Sequence, residues 1–187
     1  MKRNLIVLLG VQGSGKGTVA TGLCNIRDCD YVETGALFRG LDRTSELGAQ
    51  IGAIIESGQL VPDNLTFQLV ESNLSADRDV LTDGFPRTVQ QAEWLIKWAA
   101  ENDFTTKVVL LDIPKEVAYQ RIQTRLNEGG GRKDDADHSA VERRLNTYYA
   151  ETEPMVKFLR SAPGVQFFGI DGTQSKEKVF ADVKESL

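Results

Sequence analysis

The stretch Gly10-Val11-Gln12-Gly13-Ser14-Gly15-Lys16-Gly17-Thr18 constrains this chain more than any other. It follows an apolar run, Leu5-Ile6-Val7-Leu8-Leu9, with no polar alternation, the mark of a strand buried on both faces. Beyond it, Val19, Ala20, Leu23 and Cys24 recur at helical spacing. Strand, glycine turn and helix form the setting in which a phosphate-binding loop works. Glycines let several backbone N–H groups converge on one anion. The helix N-terminus adds partial positive charge at the same place. Lys16 supplies a compact, mobile charge for terminal phosphates. Gly10 to Lys16 fits G-x-x-x-x-G-K, with Gly17 in the usual Ser/Thr position and Thr18 after it. The G-x-G-x-x-G dinucleotide fingerprint is absent. Strand, glycines and lysine together disfavour an ordinary tight βα turn.

A length of 187 residues suits one domain with room for a small insertion. The net charge of −5 argues against broad nucleic-acid or anionic-membrane binding, while leaving room for a local basic pocket. No apolar stretch is long enough to span a bilayer. Met1-Lys2-Arg3-Asn4 and the apolar run imitate a signal peptide, but the run is short and ends in the phosphate loop. Cys24 reads as helix packing and Cys29 as part of the following turn, too few ligands for a metal site. A cytoplasmic location is expected. His138, between Asp137 and Ser139, reads as a solvated surface histidine.

Downstream, strands alternate with helices. Asp30-Tyr31-Val32-Glu33 reads as a short strand, and Thr34 as the cap of a helix carrying Leu37 and Leu41. Leu47, Ile51, Ile54 and Ile55 keep helical spacing up to Gly58. Leu60-Val61-Pro62-Asp63 is a turn, since proline pushes Val61 extended, and Asp63 is read as the cap of a helix through Phe67, Val70 and Leu74. Residues 34–73 therefore form a small helical subdomain without a strand. Asp79-Val80-Leu81-Thr82-Asp83 is the next strand, and Gly84-Phe85-Pro86-Arg87 lies at its carboxyl end, where open α/β sheets bind ligands. In the helix after it, Trp94 and Trp98 stand i, i+4 and read as core packing rather than base stacking.

Lys107 to Ile113 is a clear strand, and Pro114 precedes a helix with an apolar row, Ala118, Ile122 and Leu126. Arg121 and Arg125 form the neighbouring row, and spacing alone leaves a solvated basic edge equally open. Gly129-Gly130-Gly131 marks a hinge or mobile loop before Arg132. Ser139 and Glu142 form an S-x-x-E capping box for a helix with Val141, Arg144, Leu145, Tyr148 and Tyr149, which Pro154 kinks or restarts. Val165 to Ile170 is the last strand, and Val179, Phe180 and Val183 mark the last helix. The fold class is α/β, a mostly parallel sheet of about five strands with helices on both faces.

These motifs resemble those of the adenylate kinase family, within the nucleoside monophosphate kinases. Five segments carry the resemblance in the family's order. Gly10 to Thr18 is similar to G-x-P-G-x-G-K-G-T, and Thr34-Gly35 with Leu37 and Arg39 to T-G-[DE]-x-x-R. Gly58-Gln59-Leu60-Val61-Pro62-Asp63 follows, then Asp83-Gly84-Phe85-Pro86-Arg87-Thr88 with Gln91. The fifth comprises Arg121, Arg125, Gly131-Arg132, Asp134-Asp135 and Arg144-Leu145. The D-G-F-P-R-T stretch with its glutamine is the specific one. The resemblance implies a P-loop NTPase fold, a parallel five-stranded sheet flanked by helices. One domain, 1–187, would comprise a core (1–33, 74–126 and 139–187), an NMP-binding subdomain (34–73) and a short lid (127–138). The long, sometimes zinc-bearing lid insertion of many bacterial members is missing, so no structural zinc is expected.

The implied reaction is reversible Mg2+-dependent transfer from ATP to AMP, giving two ADP. Gly13, Ser14, Gly15, Lys16, Gly17 and Thr18 would hold the ATP phosphates, with Arg121 stacked on the ATP base. Thr34, Gly35, Val61, Gly84 and Gln91 would frame AMP, with Arg39 and Arg87 gripping its phosphate as bidentate forks. Lys16, Arg87, Arg125, Arg132 and Arg144 would be catalytic, surrounding the transferring group. Thr18 and, through water, Asp83 would serve the metal. These cations come from separate segments of an acidic chain, which favours a site over a solvated face. Gln12 replaces the usual proline, which should loosen the loop, and Ala36 replaces an acid that helps order magnesium-bound water. T-G-A-x-x-R also resembles cytidylate kinases, so a CMP or UMP kinase is the nearest alternative, followed by an adenine-nucleotide-binding regulatory module. A GTPase switch would need an N-K-x-D motif, which is absent. The expected partners are ATP and AMP alone, with no nucleic acid or membrane, bound by a monomer.

Overall fold

A strand that is apolar on both faces is stable only where both faces are covered, and this requirement places the chain's first strand at the centre of a sheet. The computed structural model describes residues 2–57, 59–129 and 133–187. Among them, β1 (Arg3–Leu9), β2 (Cys29–Glu33), β3 (Asp79–Asp83), β4 (Phe104–Asp112) and β5 (Val165–Asp171) form one parallel sheet. The strand order is β2-β3-β1-β4-β5. Leu5, Val7 and Leu9 point to one face, against α5 (Val89–Glu101) and α8 (Glu153–Ser161). Ile6 and Leu8 point to the other, against α1 (Lys16–Ile26) and α9 (Lys176–Ser186). All five are at most 3% exposed. Each such side chain contributes about 1.5–3 kcal/mol on burial, so β1 is held from both sides.

The register sets the site. Leu8 of β1 lies level with Asp83 of β3, and Asp83 lies level with Glu33 of β2. The turn after β1 therefore begins beside two strand-end carboxylates. Between residues 34 and 73 the described chain forms α2 (Thr34–Arg39), α3 (Glu46–Glu56) and α4 (Asp63–Glu71), with no strand. These helices gather their own cluster around buried Phe38, Ile51 and Val61. Across the sheet ends lie α6 (Lys115–Asn127), a 3-10 turn (Lys133–Ala136) and α7 (His138–Thr147), with a π turn (Tyr148–Thr152) joining α7 to α8. Their cluster takes in Val11 of the phosphate loop together with Ala118, Ile122, Val141 and Leu145. Trp94 packs on Phe67 and Phe85, and Trp98 on Phe104, so both tryptophans serve the core as read. No helix among the described residues is long and apolar enough to cross a membrane.

Several local expectations are corrected. Thr34 is the first residue of α2 rather than its cap, and its hydroxyl donates to the Asp83 carbonyl at 3.4 Å. Pro62 occupies the cap position of α4, leaving the Asp63 carboxylate to accept from Thr88 at 3.1 Å and Gln91 at 2.5 Å. Asp137 caps α7, accepting from the backbone N–H groups of Ser139 and Ala140. A carboxylate caps as well as a serine hydroxyl and adds a favourable charge–dipole contact, so the S-x-x-E box is bypassed. Cys29 opens β2 instead of lying in a turn, and its sulfur is 3.6 Å from that of Cys24, both free thiols. β4 begins at Phe104, three residues before the sequence-based start, because Asp103 makes the turn with φ 59° and two β-branched threonines extend the strand. His138 is exposed at the start of α7, with Nδ1 2.5 Å from the Tyr119 hydroxyl. Gly58, Gly130, Gly131 and Arg132 lie outside the described residues.

Candidate active site

The phosphate loop is bent into shape by glycines that no larger residue could replace without strain. Gly13 and Gly15 have φ of 87° and 101°. A Cβ on Gly13 would stand 2.9 Å from the Ala118 carbonyl, so the loop is pressed against α6. Gly15 then hands over to α1, whose N-terminus has no side-chain cap and no acidic residue in its first turn. Its N–H groups are thereby left to an anion. Lys16 Nζ crosses the loop mouth, donating to the carbonyls of Gly10 at 2.7 Å and Val11 at 3.2 Å. Ser14 Oγ is buried with no hydrogen-bond partner among the described residues.

A cavity of about 580 Å³ opens over this loop. Gly13, Ser14, Gly15, Lys16, Gly17 and Thr18 form its floor. Gly35, Asp83, Gly84 and Arg87 line the acceptor side, and Arg121, Arg125 and Arg144 the side of α6 and α7. The spacing that left Arg121 and Arg125 open to a bland reading therefore does bring them to the cleft. Arg87 is anchored at the cleft edge, its backbone N–H donating to Gln91 Oε1 at 2.8 Å and its Nε to the Gly84 carbonyl at 2.9 Å. The Phe85–Pro86 peptide bond in this stretch is cis.

Among the described residues, four candidates do not line the cavity. Thr34 and Gln91 are each 2% exposed and brace the acceptor wall from behind, Thr34 through Asp83 and Gln91 between Arg87 and Asp63. Val61 is buried in the helical cluster, and its neighbour Leu60 reaches the cavity instead. Arg39 is drawn onto Glu33 at 2.8 Å. Arg132 lies outside the described residues.

The structure adds residues to which sequence reasoning gave no role at the site, Asp135 of the fifth motif segment among them. Glu33 lines the cavity, whereas Ala36 is exposed and off its wall. Gly172 and Lys176, from the segment after β5, also line it. Their signal was available, because that segment follows a strand at the same carboxyl edge as the phosphate loop. Asp135 has no exposed surface and accepts from Gln12, Arg125 and Arg144. The Tyr31 hydroxyl donates to Asp83 Oδ2 at 3.3 Å. Its pKa is pushed well above the usual phenol range by burial first, then by the carboxylates of Asp83 and Glu33. Tyr31 thus remains a donor to Asp83 at any ordinary pH.

The oxygen donors fit a water-rich magnesium ion. Such an ion takes one or two carboxylates and leaves its other positions to water and phosphate. Asp83 and the exposed Thr18 line the same cavity. Among the described residues, no group of three or more His, Cys, Asp or Glu side chains is gathered tightly enough for an all-protein metal cage.

Comparison with known proteins covers nearly the whole chain. The family profile described as adenylate kinase matches residues 8–163. An adenylate kinase of Cyanothece sp. is 36% identical over 184 residues, covering 96% of this chain and 92% of its own. One from Clostridium perfringens is 32% identical over 213 aligned positions, covering 97% of each chain; the alignment outruns these 187 residues, so that relative carries residues this chain lacks. One from Bacteroides thetaiotaomicron is 32% identical over 187 positions, again covering 97% of each. With a match of that extent on a chain whose motifs already meet in one cleft, this protein belongs to the adenylate kinase family.

Proposed function

We propose that this protein catalyses reversible phosphoryl transfer from Mg2+-bound ATP to AMP, giving two ADP. The observation that carries the reading is the single cavity shared by the phosphate loop, Asp83, Arg87 and the arginines of α6 and α7. The chain works as a core (1–33, 74–126 and 139–187), an NMP-binding subdomain (34–73) and a short lid (127–138). The separate apolar cluster around Phe38 and Ile51 supports that division. The loop amides from Gly13 to Thr18 and Lys16 hold the ATP phosphates, and Arg121 lies on the ATP base. Gly35 and Gly84 line the AMP side, and Thr34, Val61 and Gln91 shape that wall from behind. Arg87 grips the AMP phosphate, and Arg39 joins it by exchanging Glu33 for that phosphate.

An oxygen of the AMP phosphate forms a bond to the γ-phosphorus while the bond to the β–γ bridging oxygen breaks, and that oxygen leaves on ADP. The residues contribute alignment and charge rather than covalent chemistry, with Arg125 and Arg144 at the cleft and Arg132 assigned with them to the transferring group's charge. Bound Mg2+ would neutralise the β and γ oxygens, with Thr18 beside it and Asp83 holding its water. The acid missing at Ala36 has a counterpart in Glu33, level with Asp83 on the adjacent strand. Closure of the lid excludes water, so that AMP accepts the phosphoryl group. The protein acts as a cytoplasmic monomer, and its acidic balance supports the absence of nucleic-acid and anionic-membrane partners.

ADP formation measured with AMP, CMP, UMP, GMP and dTMP as acceptors tests the reading, and AMP is expected to be the best. The T-G-A-x-x-R form of Thr34 to Arg39 favours a pyrimidine acceptor as the second reading, and efficient CMP or UMP turnover without AMP turnover would establish it. Binding of ATP and AMP without ADP formation would point to a regulatory module.

A further inference from the structure

The phosphate loop carries glutamine where the family's usual loop carries proline, and that glutamine has a specific partner. Gln12 Nε2 donates to Asp135 Oδ1 at 2.9 Å. The same oxygen accepts from Arg144 Nη2 at 2.8 Å, and the other carboxylate oxygen accepts from Arg125 Nη2 at 2.5 Å. Asp135 is completely buried, whereas both arginines reach the cavity. A carboxylate held this way fixes the planes of the guanidinium groups it binds. Whatever holds Asp135 therefore orients both arginines.

Gln12 is well placed to do so. Val11 before it is 2% exposed and packs in the cluster shared by α6 and α7. Gly13 after it is pressed against the Ala118 carbonyl. The side chain thus projects from a backbone anchored on both sides. We propose that Gln12 is a positioning residue that ties the phosphate loop to Asp135, and so registers Arg125 and Arg144 against the phosphoryl group bound on that loop. Proline has neither a side-chain N–H nor a backbone N–H and cannot form this tie. The structural half of the inference stands on geometry alone, and its kinetic half rests on the phosphoryl-transfer reading.

Two measurements on the full-length protein test it. Amide hydrogen exchange compares wild type with Gln12→Ala. Loss of the tie speeds exchange about tenfold from Ala136 through α7, the worth of one hydrogen bond to a charged group, and leaves the sheet unchanged. Identical exchange in that segment overturns the tie. Steady-state kinetics with ATP and AMP then test the role. Gln12→Ala lowers kcat about tenfold while both KM values stay within about twofold. Gln12→Glu, which sets a carboxylate against Asp135, lowers kcat further. In an Arg144→Lys background Gln12→Ala costs little more, because the group it positions is already lost. Raised KM with unchanged kcat, or fully additive losses in the double variant, overturns the positioning role. A wild-type protein that forms no ADP from ATP and AMP refutes the kinase reading instead, and the exchange comparison still decides the tie.

Discussion

Replacing Asp135 by asparagine removes one charge without changing volume, and its cost follows from the surroundings. The carboxylate is fully buried, and the Arg144 side chain beside it is only 13% exposed. Asparagine would take the Asp135 charge from that guanidinium and turn an N–H2 group toward one of the two arginine donors. Removing one partner of a buried ion pair costs about 3–5 kcal/mol. Arg125 is 37% exposed, so water takes over part of its solvation and its share is discounted. The lower end, about 3 kcal/mol, is expected. With a urea slope of about 2 kcal/mol per molar, the unfolding midpoint falls by about 1.5 M. The same loss lowers the melting temperature by about 6–12 °C in a chain of this size. Asp137→Asn serves as the control, since Asp137 is exposed and asparagine caps helices as well as aspartate. A midpoint for Asp135→Asn equal to that of Asp137→Asn would refute the assignment of Asp135 as a buried counter-ion.

Three further outcomes are expected. Lys16→Ala lowers phosphoryl transfer by about a thousandfold or more while its melting curve stays near wild type, and near-normal rates would contradict the role given to Lys16. Gly13→Ala costs about 2 kcal/mol, from a left-handed backbone and the crowding against Ala118, and weakens ATP binding, whereas Gly17→Ala, with open space around it, leaves the melting curve unchanged. Burial, followed by the neighbouring Cys24, pushes the Cys29 thiol from 9.0 up to about 12. The unfolded chain ionises this thiol first, so its contribution is complete below about pH 9 and is lost as pH rises toward 12. Cys29→Ala should therefore lose less stability than wild type between those values, and superimposable pH profiles from urea melts would refute the linkage.

The parts of the chain that declared themselves did so through local chemistry. β1 and the phosphate loop are contiguous, apolar and glycine-rich, and β3 with D-G-F-P-R-T after it is equally local. The misplaced caps show how a neighbour can outcompete a good local signal. Thr34 had capping chemistry, but the Asp83 carbonyl took its hydroxyl, and Asp63 was likewise taken by Thr88 and Gln91. Nothing in the spacing could reveal Asp135, whose partner Gln12 lies 123 residues away. Read alone, Gln12 was a substitution that loosens a turn; in the fold it is a bond between two walls of the cleft. Arg39 has the right residue type for a phosphate fork, but in the fold Glu33 holds it, a contact that residue type alone does not signal.

The π turn at Tyr148–Thr152 has a consequence for how this chain could tolerate length change. α8 must face the sheet with Met155, Val156 and Leu159, while α7 must aim Arg144 at the cleft. Both demands fall on one continuous helical rod, and each residue of such a rod advances it by about 100°. The wide turn sets the phase between its two ends. Deleting one residue there would leave both helices and every site arginine in the sequence, yet swing Arg144 by about 100° out of the cleft. Insertions and deletions at that point would therefore behave as catalytic mutations without altering a single catalytic residue.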